Sequence, residues 1–199
     1  MKNNLFRIEK KIPVTDFEAN LFLNKLKCNN FKKKFKDRII KSLYFENSFL
    51  NVFKNSEEGI LPRKKIRLRN YPNTDDKNIY LEKKISSIEG RYKEVSKISK
   101  EEYQKFLNFG ISDNIYGVIK PKIYVTYLRS YFENKFLRVT FDQNIKYKKF
   151  NNNIFFLDNF NVFEIKSKKN INIDSRFIDN FQIRRFSKYC NGIKRLNIN

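Results

Sequence analysis

The chain has 199 residues, no histidine, no tryptophan, two cysteines, and 43 Lys plus Arg against 21 Asp plus Glu, for a formal net charge of +22. That length allows one sizeable domain with its own core, and the lack of histidine removes Ser-His and Cys-His catalysis and imidazole metal sites. The charge points to polyanions (nucleic acid, an anionic membrane surface or phosphorylated small molecules), but a coding bias toward A/T-rich codons would also enrich Lys, so position must outweigh number.

In chain order, MKNNLFRIEKKIPVTDF has no apolar h-region, and LFRIEKKI (5–12) within it reads as a first strand. Thr15 with Glu18 forms a capping box for a helix near 16–27. IIKSLYFE (39–46), KKIRLRNY (64–71) and NIYLEKKI (78–85) alternate as strands, with YPNTDDKN (71–78) as a hairpin turn. Ser99 with Glu102 starts a helix over 100–109 that Gly110 can stop. PKIYVTYL (121–128), KFLRVTFD (135–142) and NVFEIKSK (161–168) are further strands, and NNN (151–153) is a loop. A third helix near 174–188 presents Phe177, Ile178, Phe181 and Phe186 at roughly helical spacing, as core packing rather than base stacking.

Cys28 and Cys190 lie far apart with no metal-ligand spacing, which fits a reduced, cytoplasmic setting better than a disulfide framework or zinc site. No stretch approaches the roughly 18 apolar residues of a membrane span. There is no internal repeat, Pro/Gly-rich linker or Walker-type glycine loop. Many antiparallel strands with few helices predict one α+β domain over 1–199 whose sheet closes into a barrel.

The charged residues keep to one face of these strands. Lys65, Arg67 and Arg69 alternate with Ile66, Leu68 and Asn70. Such cations sit about 7 Å apart along a strand. Each neighbouring pair repels by about 0.6 kcal/mol in water but about 2.4 kcal/mol at an effective dielectric of 20, so the row must meet water or an anion. Arg7, Glu9 and Lys11 repeat the device, as do Glu82 with Lys84, Arg138 with Thr140 and Asp142, and Glu164 with Lys166. Apolar faces packed outward on helices would turn the charged faces inward, giving a cavity suited to a polyphosphate and its metal ions. An ordinary half-exposed sheet, polar side to solvent, is the simpler alternative.

The ordered set FRIEKKI, SLYFEN, RKKIRLRNY, YLEKKIS with GRYK, KPKIYVTYLRSYFE, LRVTFD, VFEIK and RFSKYCNGI runs from residue 6 to residue 193. As a set it resembles the VTC domain, named for the vacuolar transporter chaperone complex, among the triphosphate tunnel metalloenzymes. The resemblance implies an antiparallel β-barrel tunnel with a few flanking helices, binding triphosphates with Mn²⁺ or Mg²⁺. It further implies a polyphosphate polymerase that moves the terminal phosphoryl group of ATP onto a growing inorganic polyphosphate chain. Carried over by position, Arg7, Lys11, Lys65, Arg67, Arg69, Lys84, Arg129, Arg138, Lys166 and Lys188 hold phosphates. Of these, Lys65, Arg67, Arg69, Lys84, Arg138 and Lys188 form the catalytic set, and Glu164 is the metal ligand. Glu46 stands where the family usually carries Asp, which leaves its role open. The sensor domain and membrane helices of eukaryotic relatives are absent, so a membrane-protein partner is the expected route to a membrane. A triphosphatase using the same tunnel is the alternative activity. A non-enzymatic polyanion- or RNA-binding module is the alternative of another class, and no nucleic-acid partner is expected.

Overall fold

The computed structural model describes residues 7–168 and 175–198, with side chains described from 9 to 167 and from 177 onward. The elements in order are β1 (Arg7–Val14), α1 (Asp16–Cys28), β2 (Lys32–Glu46), α2 (Asn51–Glu58), β3 (Arg63–Asn70), β4 (Ile79–Ser87), β5 (Gly90–Ile98), α3 (Lys100–Phe109), β6 (Ile111–Asp113), β7 (Gly117–Glu133), β8 (Leu137–Lys149), β9 (Phe156–Leu157), β10 (Asn161–Lys168), α4 (Ser175–Ile178) and α5 (Lys188–Arg195). The fold is the expected antiparallel, sheet-dominated α+β class. Its strands form a path with β1 and β5 at the ends rather than a hydrogen-bonded ring. Residues 5, 6 and 174 of the expected elements lie outside the described residues.

Two compact units divide the chain. The first comprises Met1–Arg38, Tyr127–Ile145 and Asp158–Phe186; the second comprises Ile39–Thr126, Lys146–Leu157 and Ser187–Asn199. In the first unit the strand order is β1-β10-β8-β7. Ile12 and Val14 of β1, Phe163 and Ile165 of β10, and Leu137, Val139 and Phe141 of β8 share the apolar face, which packs on Ala19, Phe22 and Leu26 of α1 with Phe31 and Phe177. Phe22 sits among aromatic rings, with centroids 4.2 Å from Phe163, 4.9 Å from Phe181 and 5.5 Å from Phe177. The expected capping box starts α1: Thr15 accepts from the Glu18 backbone N–H, and Glu18 accepts from that of Thr15. Thr15→Ala is expected to cost about 1 kcal/mol, read as a lower denaturant midpoint at unchanged slope.

In the second unit the order is β7-β2-β3-β4-β5. Ile66 and Leu68 are buried on the apolar face of β3, as the alternation predicts. Gly110 ends α3 at φ +84°, where a Cβ would run into the carbonyl oxygen of Ile119.

The expected third helix is a correction. Helix α4 covers only Ser175–Ile178, and α5 starts afresh at Lys188. Asn180 adopts a left-handed φ of +71° just past α4, and the backbone N–H of Arg184 donates to the Lys11 carbonyl at 3.0 Å instead of closing a helical turn. Ser187 then caps α5 through the N–H of Cys190. The Phe residues keep their expected place in the packing, with Phe177 and Phe186 buried and Phe181 against the core.

A candidate phosphate and metal site

Strand register decides which charged residues of the second unit meet. Ser42 lies opposite Arg69, and Tyr44 opposite Arg67. Arg67 lies opposite Glu82, and Lys65 opposite Lys84; Lys84 lies opposite Lys93. Opposed residues of an antiparallel pair share a face, so these side chains stand together.

The Glu82 carboxylate is their meeting point. It accepts from Arg67 Nε at 2.7 Å and Lys93 Nζ at 2.6 Å, with Arg69 Nη1 at 3.5 Å. Arg67 Nη1 also donates to Tyr44 Oη at 2.5 Å, and Arg69 Nε to Ser42 Oγ at 3.2 Å. Burial alone would raise the Glu82 pKa, but Arg67, Arg69 and Lys93 overcome it and hold the carboxyl at about 2. Tyr44 responds to the same field. Its burial should make the phenol harder to ionise, yet Arg67, Arg69 and Lys65 move its pKa below the ordinary value.

Lys65 reaches the start of α5, with Nζ 3.1 Å from Ser187 Oγ and 5.9 Å from the centre of the Tyr189 ring. Lys188 occupies the first position of α5, and no acid lies in that helix's first turn. A cation there opposes the helix dipole, a local rule broken in the way functional sites break it. Lys84 is exposed to solvent.

Glu46 is resolved as a structural group. Its carboxylate accepts from the backbone N–H groups of Asn47, Val52 and Phe53 at 2.9, 3.0 and 2.8 Å, and from the Tyr189 hydroxyl. It therefore supplies the cap that Leu50, the N-cap residue of α2, cannot make with its own side chain. Burial raises its pKa more than these donors lower it.

In the first unit, Lys11 lies opposite Glu164, Glu164 opposite Thr140, and Lys166 opposite Arg138. Lys166 Nζ is 2.6 Å from Glu164 Oε1. Lys11 Nζ lies 3.5 Å from Glu9 and donates to the Phe186 carbonyl at 2.9 Å. Arg129 forms a forked pair with Asp142, at 2.5 Å from Nε and 2.7 Å from Nη2, and Asp142 is fully buried. Burial opposes ionisation of Glu164, but Lys166, Arg129 and Lys11 carry its pKa well below the ordinary carboxylate range. Arg138 is exposed, and the Arg7 side chain lies outside those described.

Among the described side chains both faces gather cations. Lys65, Arg67, Arg69, Lys84 and Lys93 stand on the face of Glu82, and in the first unit Lys11, Arg129, Arg138 and Lys166 stand with Glu9, Asp142 and Glu164. Such clustered cations suit phosphate oxygens.

Whether a divalent cation fits depends on the donors near Glu164. Among the described residues no group of three or more His, Cys, Asp or Glu is placed to hold a metal. Mg²⁺ and its hard relatives need only one or two carboxylates when phosphate oxygens and water complete the shell. Glu164 meets that need, and opposite it the buried Thr140 Oγ1 has no protein hydrogen-bond partner. The donor set fits a metal that arrives with its phosphate.

One residue of the polar faces escaped the sequence reading. Lys93 lies on β5, whose residues 91–97 are all exposed, so no hydrophobic alternation marks the strand. Tyr44 both stacks on Tyr189 at 5.0 Å and accepts from Arg67.

The VTC domain family model matches residues 3–118 and 114–197. The chain belongs to the VTC domain family. This VTC domain also shares its fold with solved structures of low sequence identity. One is a candidate adenylate cyclase from Bacillus halodurans (TM-score 0.55, 14% identity, 81% of this chain and 80% of that one). A second, also a candidate adenylate cyclase, is from Vibrio parahaemolyticus (TM-score 0.52, 16% identity, 91% and 95%). A third is a conserved protein from Pyrococcus furiosus (TM-score 0.52, 14% identity, 98% and 92%). No curated protein matches the VTC domain sequence. No helix among the described residues is long and apolar enough to cross a membrane.

Proposed function

We propose that this VTC domain is a metal-dependent polyphosphate polymerase, with residues 1–199 acting as one triphosphate tunnel domain. It transfers the terminal phosphoryl group of ATP to a growing inorganic polyphosphate chain. The observation that carries this reading is the convergence of Arg67, Arg69 and Lys93 on the single carboxylate of Glu82. One carboxylate neutralises only part of that charge, so phosphate oxygens are the natural complement.

In the reaction, a terminal phosphate oxygen of the chain attacks the γ-phosphorus of ATP. The bond from that phosphorus to the β–γ bridging oxygen breaks, and ADP leaves with the electron pair. Such transfer needs little covalent chemistry from the protein; it needs alignment and stabilisation of charge on the equatorial oxygens. Arg67 and Arg69 suit that task by the planar fork of their guanidinium groups, while Lys65, Lys84, Arg138, Lys166 and Lys188 act as further cations for the phosphates. Lys11 and Arg7 belong to the same phosphate-holding set. Arg129, forked onto Asp142, keeps a fixed positive charge near Glu164, and the pair raises its pKa well above the usual arginine value despite burial. Glu164 is the residue to hold Mn²⁺ or Mg²⁺, with Thr140 and phosphate oxygens nearby, and the ion would supply charge neutralisation on the transferring group.

The test is incubation of the purified protein with ATP and Mn²⁺. Products are read on a gel stained for polyphosphate and, in parallel, as free orthophosphate. Long chains that lengthen with time are expected. Orthophosphate alone would replace the polymerase by a triphosphatase, in which water is the acceptor. Absence of both products with salt-dependent binding of RNA would replace it by a polyanion-binding module.

A further inference from the structure

The turn that follows β8 presents its apolar residues to solvent. Ile154, Phe155, Phe156 and Leu157 are 61%, 56%, 45% and 58% exposed. Because the four are consecutive in an extended segment, both of its sides are apolar. The segment is nonetheless well held. Asn152 Oδ1 accepts from the Ile154 N–H at 2.7 Å, the Asn152 N–H donates to the Lys149 carbonyl at 3.2 Å, and Phe156 pairs with Tyr147 of β8. The Phe150 N–H donates to the Lys122 carbonyl at 2.9 Å, joining the turn to β7.

The strands beside this apolar tip are rich in lysine, with Asp158 the acid that follows it in sequence. Lys120 and Lys122 lie on β7, and Lys146, Lys148 and Lys149 on β8; neither 117–126 nor 146–157 contains an Asp or Glu. Lys148 Nζ lies 5.5 Å over the Phe155 ring and 5.3 Å over Tyr124, and Lys41 Nζ lies 4.7 Å over Tyr124. A shallow depression lined by Pro121, Lys122, Lys149, Phe150, Asn151 and Ile198 sits at the same turn.

We propose that this hairpin docks the protein directly on an anionic lipid surface, with residues 154–157 entering the boundary between headgroups and acyl chains. A protein groove would cover one side of an extended segment; lipid covers both. Aromatic rings with ammonium groups above them suit the headgroup layer, where the ring enters and the Nζ stays at the phosphates. The five lysines add attraction to anionic lipid that neutral lipid lacks. This docking needs no membrane-protein partner and does not depend on the reaction the domain catalyses.

The chain has no tryptophan, so Phe155→Trp places one reporter indole at the tip. The full chain is mixed with vesicles of phosphatidylcholine plus phosphatidylglycerol, or of phosphatidylcholine alone, always with excess tripolyphosphate to occupy the cationic sheet faces. A blue shift of the indole with the mixed vesicles only is expected. The double variant Phe155→Asn/Phe156→Asn, which leaves net charge unchanged, is expected to lower co-sedimentation with those vesicles at least about tenfold at an unchanged thermal midpoint. An unmoved indole overturns the proposal, as does a double variant that sediments like the parent. If instead the parent is a dimer that the double variant dissolves, the surface belongs to a second copy and the lipid assignment fails.

Discussion

Replacing Glu82 by Gln is expected to destabilise the apo protein by about 3–5 kcal/mol at low ionic strength, with saturating tripolyphosphate returning most of the loss. The carboxylate is 3% exposed and lies within 3.5 Å of nitrogens from Arg67, Arg69 and Lys93. Gln keeps the shape and removes the charge, which leaves the largely buried Arg67 and Arg69 facing each other with the more exposed Lys93 beside them. A triphosphate present at about 100 times its dissociation constant would restore about 2.7 kcal/mol. Urea unfolding with and without tripolyphosphate measures both effects; a variant as stable as the parent, or one that ligand does not rescue, would remove Glu82 from the centre of the cluster. The same pair of proteins separates in acid. With its folded-state pKa near 2 rather than the ordinary 4.5, Glu82 contributes stability that is fully present above about pH 4.5 and lost as pH falls toward 2. The Gln variant is expected to lack this component of the acid-unfolding curve.

Glu164→Gln is expected to reduce metal-dependent turnover at least about 100-fold while triphosphate still binds in the absence of metal. An amide cannot replace the negative oxygen a hard cation requires, yet Lys11, Lys166 and Arg129 remain to attract phosphate. The variant also exposes those three cations to mutual repulsion, so its thermal midpoint at neutral pH should fall modestly. Product formation across a Mn²⁺ series, beside triphosphate affinity measured with a chelator, separates the two contributions. Undiminished turnover would sink Glu164 as the metal ligand; loss of triphosphate binding in proportion to activity would make it a general organiser of the site.

Strands with one buried face were legible because burial imposes alternation. β3 has Ile66 and Leu68 inside, and β10 has Phe163 and Ile165 inside. The starts of α1 and α3 were legible because a capping box is a local device, complete within four residues. Where the deciding partner is remote, the local sequence is silent. Helix α2 begins at a left-handed Leu50, and its orphan N–H groups find Glu46. The break after α4 depends on Arg184 pairing with Lys11, which an apolar pattern at helical spacing does not reveal. β5 lacks a buried face and so lacks a pattern. That is why Arg67 and Arg69 were visible and Lys93, which meets the same carboxylate, was not. Glu164 and the cationic positions came from the ordered resemblance more than from any one motif, since an alternating charged strand is equally compatible with a solvated sheet.

The link between Glu46 and Tyr189 spans 143 positions in the chain, and it sets the order in which the molecule can be built. Helix α2 is synthesised early and its N-terminal N–H groups meet Glu46 locally, but that carboxylate gains its hydroxyl donor only once α5 has been made. β1 is likewise among the first strands made, yet it pairs with β10. A nascent chain halted near residue 150 thus holds a Glu46 without its phenol donor, a first strand without β10 and most of the lysines, with neither unit finished. The pairing of the first strand and the hydroxyl donor of Glu46 both wait for the part of the chain made after residue 160.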